Sequence, residues 1–148
     1  MATTSIRWAA CEKIVSLLQA DASMAGVTVS SGWPGDNAAP MAQLVWIDEI
    51  DGPVSIPVMV GGRKERNDDF DVPLQIRVLG YGTLDDTMTR LSEIVAAVEN
   101  TLANDTSLDS LDGVLSAEIT RERMTSAMFP EGPVAFAEVV VSVSTRLL

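Results

Sequence analysis

The clearest pattern of hydrophobic and polar positions lies in the middle of the chain. Residues 70–81 alternate between apolar and polar side chains, which predicts a β-strand with one covered face and one wetter face. Over residues 84–102 the apolar positions recur in steps of three and four, which predicts an amphipathic helix. Thr83 is suited to cap this helix, and Asp85 and Asp86 oppose the positive end of its dipole. The apolar face of the strand consists of Phe70, Val72, Leu74, Ile76 and Val78.

The remaining pattern predicts a second amphipathic helix and several further strands. This helix covers residues 6–18, where apolar residues again recur in steps of three and four, and it fades before Gly26. An acidic loop at residues 104–112 separates the central helix from the last strands. The other predicted strands are residues 27–30, 43–47, 54–60, 114–123 and 134–147, with a connection at residues 124–133.

Two prolines and the alternation of side chains in one segment give further predictions about these strands. A proline cannot donate a hydrogen bond to a neighbouring strand, so Pro57 predicts that residues 54–60 form an edge strand or an extended arm. Pro73 likewise indicates an edge or a bulge in the strand at residues 70–81. In the strand at residues 114–123, simple alternation places Glu118 and Glu122 on the same face.

This order of elements predicts the fold class. Runs of strands with two amphipathic helices are typical of an α+β fold, here a mainly antiparallel β-sheet with two amphipathic helices packed on one face. The length of 148 residues predicts a single domain over residues 1–148, which is enough to bury an ordinary core.

An extended charged loop is predicted at residues 61–69, before the central strand. Gly61 and Gly62 give it a flexible root, and charges of both signs follow. One interpretation is a solvated hairpin loop. The other is a contact arm, because a mixed-sign segment is suited to pairing across a subunit boundary. The candidate contact residues are Arg63, Lys64, Glu65, Arg66, Asp68 and Asp69.

Trp33 is a second candidate contact residue. It lies in a turn with Pro34, and exposed tryptophans are enriched at the anchors of protein interfaces. A local packing role for Trp33 is the alternative.

The net charge of −11 limits the partners that this chain is expected to bind. A general nucleic-acid binder would need a basic face to displace counterions from phosphates. The acidic balance still fits a protein that nucleic acid slides past, where repulsion is useful, and it also fits simple solubility. The first residues lack the pattern of a signal peptide, and no apolar run approaches the ~20 residues that span a bilayer, so we expect a cytoplasmic protein without a membrane partner.

The sequence offers little catalytic chemistry. It contains no histidine and a single cysteine, Cys11, which is predicted to be a buried structural residue. No phosphate-binding glycine motif is present, so no cofactor is expected. Asp48 and Glu49 are conceivable paired carboxylates, but nothing supports a sugar site around them. The aspartates of the acidic loop do not match a calcium-binding register, so no metal is expected either.

The element order resembles that of the tail terminator (tail completion) proteins of long-tailed bacteriophages. The likeness covers nearly the whole chain and depends on the order of elements, without an invariant motif. It consists of an N-terminal helix, a charged glycine-bearing segment before the strand Asp71-Val72-Pro73-Leu74-Gln75-Ile76-Arg77-Val78, a turn at residues 80–86, a helix ending in an Asn/Asp-rich loop, and a closing strand that ends in Thr145-Arg146-Leu147.

This resemblance implies a virion protein that forms a homohexameric ring, assembled in the host cytoplasm. Such a ring caps the head-proximal end of the tail tube, stops its polymerisation and then meets the head-completion or connector proteins. The genomic DNA passes through the lumen without specific binding. The alternatives are a head-to-tail joining (neck) protein and a non-viral small-molecule-binding or regulatory α+β domain. An enzyme is the least favoured interpretation.

Overall fold

The computed structural model describes residues 6–35, 43–50, 54–60, 63–79 and 82–146, and for residues 54–60 and 63–68 it describes the backbone alone. Residues 61 and 62 and the predicted strand ends at residues 80–81 and 147 lie outside the described residues. The helices are α1 Ile6–Ala20 and α2 Leu84–Asn104, with a short 3₁₀ turn Ala22–Met24 after α1. The strands are β1 Thr28–Ser30, β2 Gln43–Ile47, β3 Val54–Val60, β4 Arg63–Asp68, β5 Phe70–Leu79, β6 Val114–Phe129 and β7 Gly132–Thr145.

The strands form a five-stranded sheet in the order β1-β2-β5-β7-β6 and a separate two-stranded ribbon of β3 and β4. The pair β1–β2 is parallel, and every other pair in the sheet is antiparallel. The predicted α+β fold with a mainly antiparallel sheet is therefore confirmed. Among the described residues, no helix is both long and apolar enough to cross a membrane.

Both helices cover the same face of the sheet, as predicted. The register of β5 against β7 pairs Leu74 with Val139 and Ile76 with Ala137, and these four residues are buried on that face. Residues of α1, α2, β2, β5 and β7 form one continuous apolar cluster there. The largest fully buried side chains of the two helices are Ile14, Leu18, Leu91, Ile94 and Leu102.

The start of α2 is fixed by a capping box. The Thr83 hydroxyl accepts from the Asp86 N–H (3.2 Å), and the Asp86 carboxylate accepts from the Thr83 N–H (3.1 Å). Gly82 before it has φ +83°, and a Cβ atom there would lie 2.6 Å from Asp86 Oδ2, so the position requires glycine. The predicted helix start at Thr83 is confirmed.

The acidic loop after α2 uses its carboxylates to hold its own backbone. Both Asp105 carboxylate oxygens accept from the Asp109 N–H (2.8 and 2.9 Å), and Asp109 in turn pairs with the Lys13 ammonium at 3.2 Å. Three consecutive residues from Leu108 have positive φ angles of 52°, 58° and 56°. This unusual turn places the fully buried Leu108 in the core. The loop therefore contributes to core packing as well as connecting α2 to β6.

Two sequence predictions on strand boundaries are wrong. Residues 63–68 form strand β4 and are not a loop, because their backbone pairs with the apolar strand β3 along the ribbon. β6 continues to Phe129 instead of ending at Arg123, because a two-residue turn at Pro130 and Glu131 lets every residue from Arg121 to Phe129 find a partner in β7. The predicted connection at residues 124–133 is therefore mostly strand.

The prolines behave nearly as predicted. β3 is a strand of a two-stranded ribbon, and its register shifts between Ser55 and Val58, where Pro57 lies, so the edge prediction is confirmed. β5 is a central strand, which the edge prediction for Pro73 did not anticipate. Pro73 pairs with Val140 of β7, but β2 ends opposite Leu74, so Pro73 has a neighbouring strand on one side only.

The β5–β7 pair should dominate stability. We expect Leu74→Ala, at a fully buried position in β5, to lower the free energy of unfolding by about 2–5 kcal/mol, because it removes apolar contacts and leaves a cavity. The matched control is Leu115→Ala in β6, where the side chain is 62% exposed and the loss should stay within about 0.5 kcal/mol. Urea denaturation of both variants measures the difference, and equal losses would contradict the assignment of the core.

Candidate interaction surfaces

The open face of the sheet is the face that the helices do not cover. In its centre, polar side chains of β5, β7 and β6 form a ladder across three strands. Gln75 donates to the Glu138 carboxylate (2.8 Å), which also lies 3.7 Å from the Arg121 guanidinium. The Ser142 hydroxyl donates to Asp71 (2.7 Å). The ladder satisfies these groups within the chain and leaves a hydrated surface with both signs of charge.

Aromatic side chains cover the β2 side of the open face. The rings of Trp33 and Trp46 meet edge to face, with centroids 4.9 Å apart and an interplanar angle of 70°. The Arg77 guanidinium lies 5.5 Å from the Trp33 ring centroid. Leu44, paired with Arg77 in the register, is fully buried on this face. Partial burial lowers the pKa of Arg77, but an arginine keeps its charge at neutral pH.

Trp33 therefore has both of the roles that the sequence left open. It packs against Trp46 and Arg77, and 52% of its surface remains exposed. Its use as an interface anchor stays a prediction.

The β6–β7 turn carries exposed apolar side chains. Met128 is 66% exposed, and Met124 and Phe129 are also exposed. An open groove of about 390 Å³ lies beside this turn on the open face. Its lining includes Arg77, Leu79, Phe129, Glu131, Val134 and Phe136.

A second groove, the acidic groove, lies between α2 and the edge strand β6. It has a volume of about 440 Å³, and its walls combine the carboxylates of Glu99 and Glu122 with an apolar floor. Burial raises the pKa of Glu122, and a hydrogen bond with Glu99 and repulsion from that carboxylate raise it further. The residues that define the acidic groove here are Glu99, Leu102, Ala117, Glu118, Ile119 and Glu122.

The predicted contact residues are divided between two parts of the fold. Arg63, Lys64, Glu65, Arg66 and Asp68 lie in β4, and Asp69 follows directly. The exposed Asp69 accepts from the Thr145 N–H (3.4 Å), which ties the root of the ribbon to β7. Trp33 belongs to the open face of the main sheet instead.

The other candidate residues take structural or exposed positions. Cys11 is fully buried, and burial, assisted by Glu12, raises the pKa of its thiol to about 11, so the predicted structural role is confirmed. Asp48 and Glu49 are exposed at the end of β2. In the described part of the chain, no group of three or more histidine, cysteine, aspartate or glutamate residues is placed to hold a metal ion.

The acidic groove does not follow from the sequence pattern, because β6 contains a bulge. The register pairs Ile119 with Val141 and Arg121 with Val140, so Thr120 is the extra residue. From that point the alternation changes phase, and Glu122 pairs with Val139 on the helix-covered face instead of sharing a face with Glu118. A bulge of this kind leaves no reliable signal in a single sequence.

Comparison with known proteins gives a match in fold. No protein-family model matches the chain, and no curated protein matches it in sequence. Among the solved structures that match is a chain from the "Virion of native gene transfer agent (GTA) particle". The match spans the whole fold. It covers 97% of this chain and 100% of that chain, with a TM-score of 0.67 and 14% sequence identity, so it establishes a shared fold.

The repulsion between Glu99 and Glu122 should be measurable as stability. Because the folded chain raises the Glu122 pKa, ionisation opposes folding, and this cost grows as the pH rises above the ordinary range of a glutamate. We expect Glu122→Gln to raise the free energy of unfolding at pH 7 by up to about 1 kcal/mol, since the site is solvent-screened.

The same variant should give no gain near pH 4, where the carboxyl is protonated in both states. Urea unfolding at the two pH values tests this, with Glu131→Gln in the exposed β6–β7 turn as the matched control. A loss of stability at pH 7 for Glu122→Gln would contradict the repulsive pair.

Proposed function

We propose that this chain is a structural virion protein of the tail terminator kind. It forms a homohexameric ring at the head-proximal end of a tail tube, stops tube polymerisation there and joins the tail to head-completion proteins. In this role the chain works through contacts between proteins and carries out no catalysis.

The observation that carries the proposal is the likeness in fold to a chain of a gene transfer agent virion. The likeness includes 97% of this chain and 100% of the other. The sequence resemblance to tail terminators points in the same direction from independent features, namely the order of elements and the charged segment before β5.

The surfaces of the fold support a role in assembly. The helices cover one sheet face, the side chains of Met128 and Phe129 beside the β6–β7 turn are exposed, and the β3–β4 ribbon is separate from the main sheet. The net charge of −11 suits a ring whose lumen passes DNA, because like charge keeps the phosphates from adhering to the wall.

Native mass spectrometry and a tube-polymerisation assay test the proposal. We expect a closed hexamer at micromolar concentration, and we expect substoichiometric addition of this protein to shorten tubes grown from the tail-tube protein. Binding to connector proteins without any effect on tube length would favour the neck-protein alternative. A strictly monomeric protein that also fails to bind tube protein would contradict the proposal.

The basic residues of β4 should contribute to assembly. We expect the triple replacement of Arg63, Lys64 and Arg66 by alanine to weaken self-association, because it removes the positive half of a mixed-charge contact segment. The thermal midpoint should change little, since the three residues belong to the ribbon and not to the five-stranded sheet that carries the core.

Mass photometry over a dilution series measures this effect. The control is Lys13→Ala, which removes a basic residue whose ammonium already pairs with Asp109 in the same chain. If the triple variant assembles normally, the segment is a solvated surface and does not form the contact.

A further inference from the structure

Basic residues are concentrated at one end of the β3–β4 ribbon. Three of the ten basic residues of this acidic chain fall within positions 63–66. The register pairs Val60 with Arg63 and Met59 with Lys64, so both basic residues lie at the end of the ribbon where β3 ends and β4 begins. Asp68, paired with Val54, lies at the opposite end, where the ribbon joins β5. We call residues 63–66 the basic tip.

The acidic groove has the complementary chemistry. Glu99 of α2 and Glu122 of β6 face each other across it. Two carboxylates held this close repel each other when both are ionised, and a cation between them relieves the repulsion. The apolar floor of Leu102, Ala117 and Ile119 can receive the methylene stem of a lysine or arginine.

Among the residues whose side chains the structure describes, no basic residue lines the groove. The neighbouring Arg121 belongs to the open face, where it lies near Glu138, and Arg90 of α2 contacts Glu93 and Gln43. Lys13 pairs with Asp109 in the loop after α2. These described cations have partners elsewhere, so the groove is suited to receive a cation from outside the chain.

We propose that the basic tip of one copy docks into the acidic groove of the next copy, with Arg63 and Lys64 against Glu99 and Glu122. This rests on the proposed ring and names the surfaces that would join its subunits. Because the tip and the groove are different surfaces, the contact is heterologous, and repeating it around an axis closes a ring.

A contact of this kind has a defined electrostatic signature. Attraction between two such charges is screened when the Debye length falls from about 10 Å at 0.1 M salt to about 3 Å at 1 M. We therefore expect self-association to weaken with added salt, while mutation of either surface should act mainly through charge.

Exchanging the charges between the two surfaces tests the proposal. Variant one carries Arg63→Glu and Lys64→Glu, and variant two carries Glu99→Lys and Glu122→Lys. Each alone sets like charge against like charge, so we expect self-association to weaken by about tenfold or more. An equimolar mixture should assemble again, because the acidic tip of variant one meets the basic groove of variant two. The basic tip of variant two likewise meets the acidic groove of variant one.

The mixture should form even-numbered rings with alternating subunits, which native mass spectrometry resolves by mass. The matched control carries Glu12→Lys and Glu49→Lys, the same charge change outside the groove, and should assemble as the unmodified chain does. If lysine in the groove prevents folding, the pair Glu99→Gln and Glu122→Gln replaces it. That pair is expected to weaken assembly without lowering the thermal midpoint.

The outcomes separate this inference from the proposed function. If the unmodified chain forms rings and both charge-exchanged variants do so equally well, the docking is wrong and the ring stands. Failure of the mixture to restore assembly, with both variants folded, also overturns the docking. A monomeric unmodified chain would overturn the docking and the proposed function together.

Discussion

The pairing of β5 with β7 is the constraint on which the rest of the fold depends. Ten consecutive residue pairs, from Phe70 with Val143 to Leu79 with Val134, hold the two strands in one register. Since side chains alternate across a strand, a shift of a single residue would move the whole apolar set to the other face. The register therefore decides which face receives the helices, and it leaves the opposite face free for the Gln75–Glu138 contact and for Trp33.

The same pairing explains how far the fold could be predicted. The alternation in β5 and the helical spacing in α2 are local patterns that burial enforces along their whole length, so both elements and the α+β class follow from them. The Thr83 cap is equally local, because its hydrogen bonds reach only three residues along the chain. Features that depend on one strand meeting its partner were harder to predict. The charged residues of β4 have weak strand preference, and they are extended because β3 pairs with them.

The bulge at Thr120 has the largest consequence among these non-local features. One extra residue in β6 reverses the direction of every later side chain relative to β7, which brings Glu122 to the side of α2 and opposite Glu99. Of the candidate residues named from the sequence, the structure gives Trp33 a defined environment and places the charged set in a strand. The acidic groove could not be predicted, because its two main carboxylates are 23 positions apart and meet only through this change of phase.

The described core and loop residues serve mainly in packing and in holding the backbone. The core is built almost wholly from aliphatic side chains, Cys11 is buried with a thiol that resists ionisation, and the acidic loop after α2 uses its aspartates to hold backbone groups. Two groups of charges are not explained by this packing. The carboxylates of Glu99 and Glu122 repel each other, and three basic residues are concentrated in one short strand. A single copy gains no stability from repulsion between carboxylates. A second copy that brings a cation to that place converts the cost into binding energy, so the arrangement is physically sensible for a subunit that is completed by its neighbours.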